Sequence, residues 1–263
     1  HSKYSRATSG ECVPEHLDLW ARRKGIGLLG TGDFTHPAWR QELRDKLVPA
    51  EEGLYTLREG LHVEGAAGTE RPRFVVTGEI SSIYKKDGRV RKVHNLILLP
   101  GLEAAEALSK KLEAIGNIHS DGRPILGLDS RDLLEITMET CPEAVFIPAH
   151  IWTPHFSLFG AFSGFDTIEA CFGDMTPCIH AVETGLSSDP PMNWRLSALD
   201  RYALGLAGVD RPTVCFVPTA SGDATGYIER FEAAYAPLDC ETRVLRLVAD
   251  GAQSVARTLD GVD

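Results

Sequence analysis

Short apolar runs alternate with stretches of helical periodicity along most of the chain. GIGLLGTGDFTH reads as a buried strand running into a loop. PAWRQELRDKLV reads as a helix entered through Pro37, where a missing N–H costs little. EEGLYTLREGLHVEGAAGTERPR is polar and glycine-rich, so a hairpin or loop is expected there. RFVVTGEISSIY and VRKVHNLILLP predict strands, EAAEALSKKLEAIGNI an amphipathic helix, and DSRDLLEITMETC a helix capped by Asp129 or Ser130. AVFIPAHIWTP predicts a strand and loop, TIEACFGD a short helix, and CIHAVETGLSS another strand and loop. This succession points to an α/β barrel or a wound sheet, architectures that carry their chemistry at the carboxyl ends of strands.

Residues able to hold a metal fall at those ends. Asp33 and His36 follow GIGLLGTG, His150 and His155 follow AVFIPA, and Glu183 follows CIHAV. A lone histidine of this kind is usually structural, but repetition at equivalent places predicts a shared metal or acid–base site.

The stretch VVTGEISSIYKKDGRVRKVHNLILLP sharpens that expectation. A two-residue turn at Asp87-Gly88 would pair Lys86 with Arg89 and set Ser81 opposite His94. Glu79, two residues before Ser81, then shares its face with His94. The two become diagonal neighbours at a Cα separation of roughly 7–8 Å, which suits two ligands of one cluster. The same ribbon gathers Lys85, Lys86, Arg89, Arg91 and Lys92.

The chain has 263 residues, 43% hydrophobic and 24% charged, with a formal net charge of -10. That balance excludes a general nucleic-acid coat but not a local basic patch, because steering depends on where charge sits. The six cysteines form no C-x-x-C pair. No apolar run approaches the roughly 20 residues of a membrane helix, and no signal peptide opens the sequence. A cytoplasmic protein with reduced thiols and no membrane partner is expected.

Taken together, HSKYSRATS, GLLGTGDFTHPAW, TGEISSIYKKDGRVRKVHNLILLP, GRPILGLDSRDLLE, IPAHIWTPHFSLFGAFSGFDTIEACFGD and AVETGLSSDPPMNWRLSALDRY resemble endonuclease Q. That family belongs to the PHP (polymerase and histidinol phosphatase) superfamily, and the resemblance runs from His1 to about Tyr202. It implies a distorted (β/α)7 barrel whose carboxyl rim holds two or three zinc ions. The implied activity is cleavage of DNA on the 5′ side of a deaminated base (uracil, hypoxanthine) or of an abasic site. By the same resemblance the metal ligands are His1, Asp33, His36, Glu79, His94, His150 and Glu183, with Glu79 and Asp33 catalytic. Paired metals would supply a hydroxide and stabilise the leaving oxygen. The basic hairpin would grip phosphates, and Trp152, Phe156 and Phe159 would line a pocket for an extruded base. A phosphatase acting on small esters is the rival within the superfamily, though it needs no extended phosphate track. A catalytically inactive DNA-binding fragment is the other alternative. Family members open with a His-x-His pair and close on an Asp and His, and both motifs are incomplete in this sequence. The barrel is therefore expected to be incomplete and its activity impaired.

RPTVCFVPTASGDATGYIERFEAAYAPLDC resembles instead the beginning of dipeptidase E, a family of serine peptidases. Its periodicity gives a strand, a helix from about Ala224 and a second strand at RVLRLV, a partial βαβ unit of a wound sheet. Ser221 reads as a turn or cap residue rather than a nucleophile. The expected domains are 1–203, nuclease-like, and 204–263, peptidase-like.

Overall fold

A computed structural model of the chain describes residues 1–65, 71–184, 204, 209–216 and 225–244. The chain folds as two compact units, His1–Ser187 and Ser188–Asp263.

The first unit is built on one long antiparallel ribbon. Strand β4 (Arg73–Lys86) pairs with β5 (Arg89–Leu99) along its whole length after Val76, in the register Ser81 opposite His94 and Lys86 opposite Arg89. Asp87 and Gly88 make the turn with φ of 53° and 73°. Both central residues of a type I′ turn need positive φ, which Asp tolerates and Gly adopts freely.

Other strands flank this ribbon. At its start β4 lies between β1 (Leu28–Gly30), parallel to it, and β3 (Tyr55–Leu57), antiparallel. Strand β2 (Leu47–Pro49) pairs with β3. Further along, β6 (Ile125–Leu126) runs parallel to β4, and β7 (Val145–Pro148) runs antiparallel to β5. The α/β character is as expected, but the sheet is mainly antiparallel, and among the described residues it does not close into a barrel. The reason lies in the connections: a tight hairpin, not a helical crossover, joins the two longest strands, and that forces antiparallel pairing.

Helices accompany the sheet. They are α1 (Pro14–Lys24), α2 (Pro37–Lys46), α3 (Leu102–Glu113) and α4 (Ser130–Thr140). In α3 the buried residues Leu102, Ala105, Leu108 and Leu112 recur at the spacing of one helical face. Trp39 and Leu43 of α2 are fully buried, as are Phe74, Val76 and Ile80 of β4. Asp129, rather than Ser130, caps α4 by accepting the Arg131 N–H. A short helix α5 (Ile168–Phe172), capped by Thr167, runs into a 3-10 turn over Gly173–Cys178.

The strand expected at CIHAVETGLSS does not form over its described part, residues 178–184. Pro177 and the 3-10 turn lead into it. Glu183 joins the end of β7, donating to the Pro148 carbonyl while its own carbonyl accepts from Ile151.

In the second unit, β8 (Thr213–Phe216) and β9 (Glu241–Val244) pair in parallel across the helix Thr225–Tyr235. This is the expected βαβ arrangement, with the second strand starting slightly earlier. Ser221 lies outside the described residues, as do residues 185–203 before the expected boundary. Among the described residues no helix is long and apolar enough to cross a membrane.

Candidate metal centre

Alternation along the ribbon sorts its side chains. Val76, Ile80, Val93, Ile97 and Leu99 enter the apolar core, while Glu79, Ser81 and His94 share the opposite face. His150 arrives from the end of β7, which pairs with β5 just beyond His94. One ligand atom from each of Glu79, His94 and His150 lies within 4.8 Å of the others. His94 Nδ1 is 2.7 Å from Glu79 Oε1 and 3.1 Å from His150 Nε2.

Neighbouring residues fix the histidine orientations. Thr153 Oγ1 donates to the His155 carbonyl and so accepts from His150 Nδ1 at 2.9 Å. That leaves the Nε2 lone pair of His150 facing the cluster. His1 is arranged likewise: Nδ1 donates to Asp33 at 3.2 Å, and Nε2 stands 3.6 Å from Glu79 Oε2. Two lone pairs and a carboxylate then converge with few protons between them, a donor set that a cation would satisfy. Ser81 Oγ, buried and without a hydrogen-bond partner, is on the same face. Orphaned hydroxyls of that kind suit an ion-bound water. The residues therefore fit a divalent metal.

Electrostatics agree with that fit. Burial works to raise the Glu79 carboxyl, but the hydrogen bond from His94 and the Arg123 guanidinium together hold it below the usual carboxylate range. Burial lowers the His94 imidazole against the pull of Glu79, favouring the neutral form a ligand needs. Arg123 Nη1 lies 3.1 Å from Glu79 Oε1. Its loop is pinned on both sides: Gly122 donates to the Tyr4 carbonyl, and Ser81 N–H donates to the Pro124 carbonyl. Gly122 admits no side chain, since a Cβ there would lie 2.2 Å from Asp33 Oδ2.

The other expected ligands play different parts. Asp33 is fully buried, and its carboxylate is taken up by the Ser2 N–H, the hydroxyls of Ser2 and Ser5 at 2.7 and 2.8 Å, and His1. It positions His1 through Oδ1, while Ser2 and Ser5 take up Oδ2. His36 stands at the N-cap position of α2 without a side-chain capping bond, stacks on Tyr4 and donates from Nε2 to the His119 carbonyl. Glu183 accepts the His150 backbone N–H at 2.8 Å, bracing that residue. Among the described residues five non-glycines have positive φ, and three of them, Asp33, His150 and Phe156, are at this site. Such strain concentrates where surrounding structure enforces a functional geometry.

The basic hairpin is divided. Lys85 and Arg89 are exposed at the tip. Lys86 is 3.1 Å from Asp129 and donates to the Cys171 carbonyl, Arg91 donates to the Gly164 carbonyl over the Phe165 ring, and Lys92 lies over Phe156. Those three dock the ribbon onto the rest of the unit because aromatic rings, carbonyls and a carboxylate meet it there. Phe156 tilts against His94 at 4.9 Å, while Trp152 and Phe159 pack on each other at 5.2 Å. Arg123, Thr153 and Ser81 were not legible as site residues. Gly122, which needs a bare backbone, is the one signal beside Arg123.

The chain is similar to known proteins of two kinds. The structure of endonuclease Q from Pyrococcus furiosus, a lesion-specific endonuclease, is 29% identical with a TM-score of 0.58, covering 74% of this chain and 42% of that one. An endonuclease Q complex with a 27-mer duplex carrying an abasic lesion at the active site matches equally well. An uncharacterised protein of Methanocaldococcus jannaschii is 28% identical over 59% of this chain and 16% of its own length. The uncharacterised protein YqxK of Bacillus subtilis is 31% identical over 69% and 43% respectively. The chain thus spans less than half the length of these proteins. Residues 186–263 match peptidase family S51. The fold is similar to that of a nuclease, and both comparisons are with hydrolases.

Proposed function

We propose that this chain carries the metal-dependent core of a DNA repair endonuclease of endonuclease Q type. The observation that carries the reading is the convergence of Glu79, His94 and His150, with His1 beside them, on one face of the ribbon. Glu79, His94 and His150 would hold zinc, which when bound supplies a hydroxide near neutral pH and Lewis-acid stabilisation of the leaving oxygen. The chain's own contribution is orientation. Thr153 and Asp33 set the tautomers of His150 and His1, Ser81 offers a hydroxyl to water, and Arg123 offers a guanidinium to a phosphate oxygen. The substrate in this reading is DNA with deaminated bases or abasic sites, gripped by Lys85 and Arg89.

The nuclease-like domain spans 1–203 in this proposal, with 204–263 a separate βαβ unit. The test is zinc content together with cleavage of oligonucleotides containing uracil, hypoxanthine or an abasic site. Glu79→Gln is expected to lose both metal and cleavage. Cleavage that survives the substitution would remove Glu79 from the reaction. A second reading, peptide hydrolysis, attaches to residues 186–263 through the peptidase match. Glu79→Gln would leave a peptidase activity untouched, so one variant separates the two.

A further inference from the structure

Along HFSLFGAFSGFD a phenylalanine recurs at every third position. Three of the four are committed inward: Phe156 against His94, Phe159 against Trp152, and Phe165 beneath the Arg91 guanidinium at 4.2 Å. Phe162 is 73% exposed. It is not a loose side chain, for its ring lies flat on that of exposed His155, centroids 4.5 Å apart and planes 8° from parallel. Its backbone N–H donates to the Pro154 carbonyl. The loop beneath it is tight: a Cβ on Gly164 would stand 2.3 Å from the Gly160 nitrogen. A ring held on one face and open on the other has already lost the freedom that binding would otherwise remove.

This ring borders a cleft of about 140 Å³ between the hairpin tip and the loop, lined also by Arg89, Arg91, Ser163 and Asp166. Arg89 is exposed, whereas Arg91 is held at the cleft wall by the Gly164 carbonyl and the Phe165 ring. An open aromatic face suits a planar ring, the exposed Arg89 guanidinium suits a phosphate, and a carboxylate can accept from an exocyclic amino group. A lipid headgroup or an acidic peptide would use Arg89 but not the stacking face.

We propose that this cleft is a nucleotide-binding subsite, with Phe162 stacking on a nucleobase of a DNA strand and Arg89 holding the adjoining phosphate. Its distance from the metal cluster follows from the strand. Arg91 and Arg89 are three and five residues from His94 along β5, or roughly 10 and 17 Å at about 3.4 Å per residue. A stacked strand advances about 3.4 Å per nucleotide, so the subsite takes a base roughly three to five nucleotides from the scissile bond. That spacing rests on the nuclease reading; the subsite itself does not.

The experiment uses the full chain and a lesion-free single-stranded 15-mer, with and without zinc. Phe162→Ala is expected to weaken binding about fivefold to a hundredfold, the range for loss of one stacked base. Phe162→Trp is expected to bind as wild type, with indole fluorescence quenched by the 15-mer and not by inorganic phosphate. An unchanged affinity in Phe162→Ala, or an unquenched Trp variant, overturns the subsite even if lesion cleavage is robust. Quenching and weakened binding without any cleavage uphold the subsite and count against the nuclease reading alone. A wild-type chain that binds no oligonucleotide sinks both.

Discussion

Thr153 decides which nitrogen of His150 faces the cluster, although it is not itself one of the three clustered residues. Its hydroxyl hydrogen goes to a backbone carbonyl, so its oxygen must accept from His150 Nδ1. Valine is close to isosteric and would leave that N–H without a partner. Thr153→Val is therefore expected to weaken zinc binding about 10- to 100-fold, as losses of such supporting contacts do. Competition with a chelator of known affinity measures it. Thr153→Ser should restore most of the loss, and a Val variant that binds zinc like wild type would break the link between hydroxyl and tautomer. Asp33 acts in the same manner on His1. Fully buried, with three donors on one carboxylate oxygen and His1 on the other, it supports His1, and its place at the end of a strand gave no warning of that. Burial and these contacts are tertiary facts, made by Ser2 and Ser5 folding over it.

At the scale of elements, the β4–β5 hairpin was the most legible part of the chain, because a two-residue turn leaves only one register for the strands around it. The Glu79–His94 relation followed from counting. What counting could not give was the fate of the basic residues. Five share the ribbon, but the 155–166 loop and Asp129 claim Lys86, Arg91 and Lys92. Only long-range packing settles that. Helix α1 had readable signals, Pro14 at its start and Gly25 with φ of 68° after its end, and still escaped a reading by periodicity. β6 is too short for any pattern. The division of the hairpin has a measurable consequence. Lys85→Glu should weaken DNA binding and reduce the slope of log affinity against log salt by about one, whereas neutralising inward-bound Lys86 should mainly cost stability. Salt titrations of the two variants distinguish them, and identical slopes would mean that Lys85 meets no phosphate.

At the scale of the whole molecule, the βαβ unit has its own parallel pair, β8–β9. The proposed domains predict distinct responses to metal. In calorimetry, zinc at a hundredfold excess over its Kd should stabilise the unit holding Glu79 by about 2.7 kcal/mol. The transition of the unit containing residues 213–244 should stay where it is. A shift of both transitions, or one transition moving as a whole, would contradict two independent domains.

The Arg123–Glu79 contact bears on the order in which such a protein is assembled. A carboxylate buried among histidines would normally need its ion in place before the surrounding chain could settle. Here a guanidinium fixed by the fold already answers that charge. If the proposed metal binds, it would exchange one positive charge for another at a carboxylate that the fold already neutralises. In the proposed reading this differs from a zinc finger, whose fold depends on its ion: the apo chain would be expected to stay folded, with Arg123 paired to Glu79.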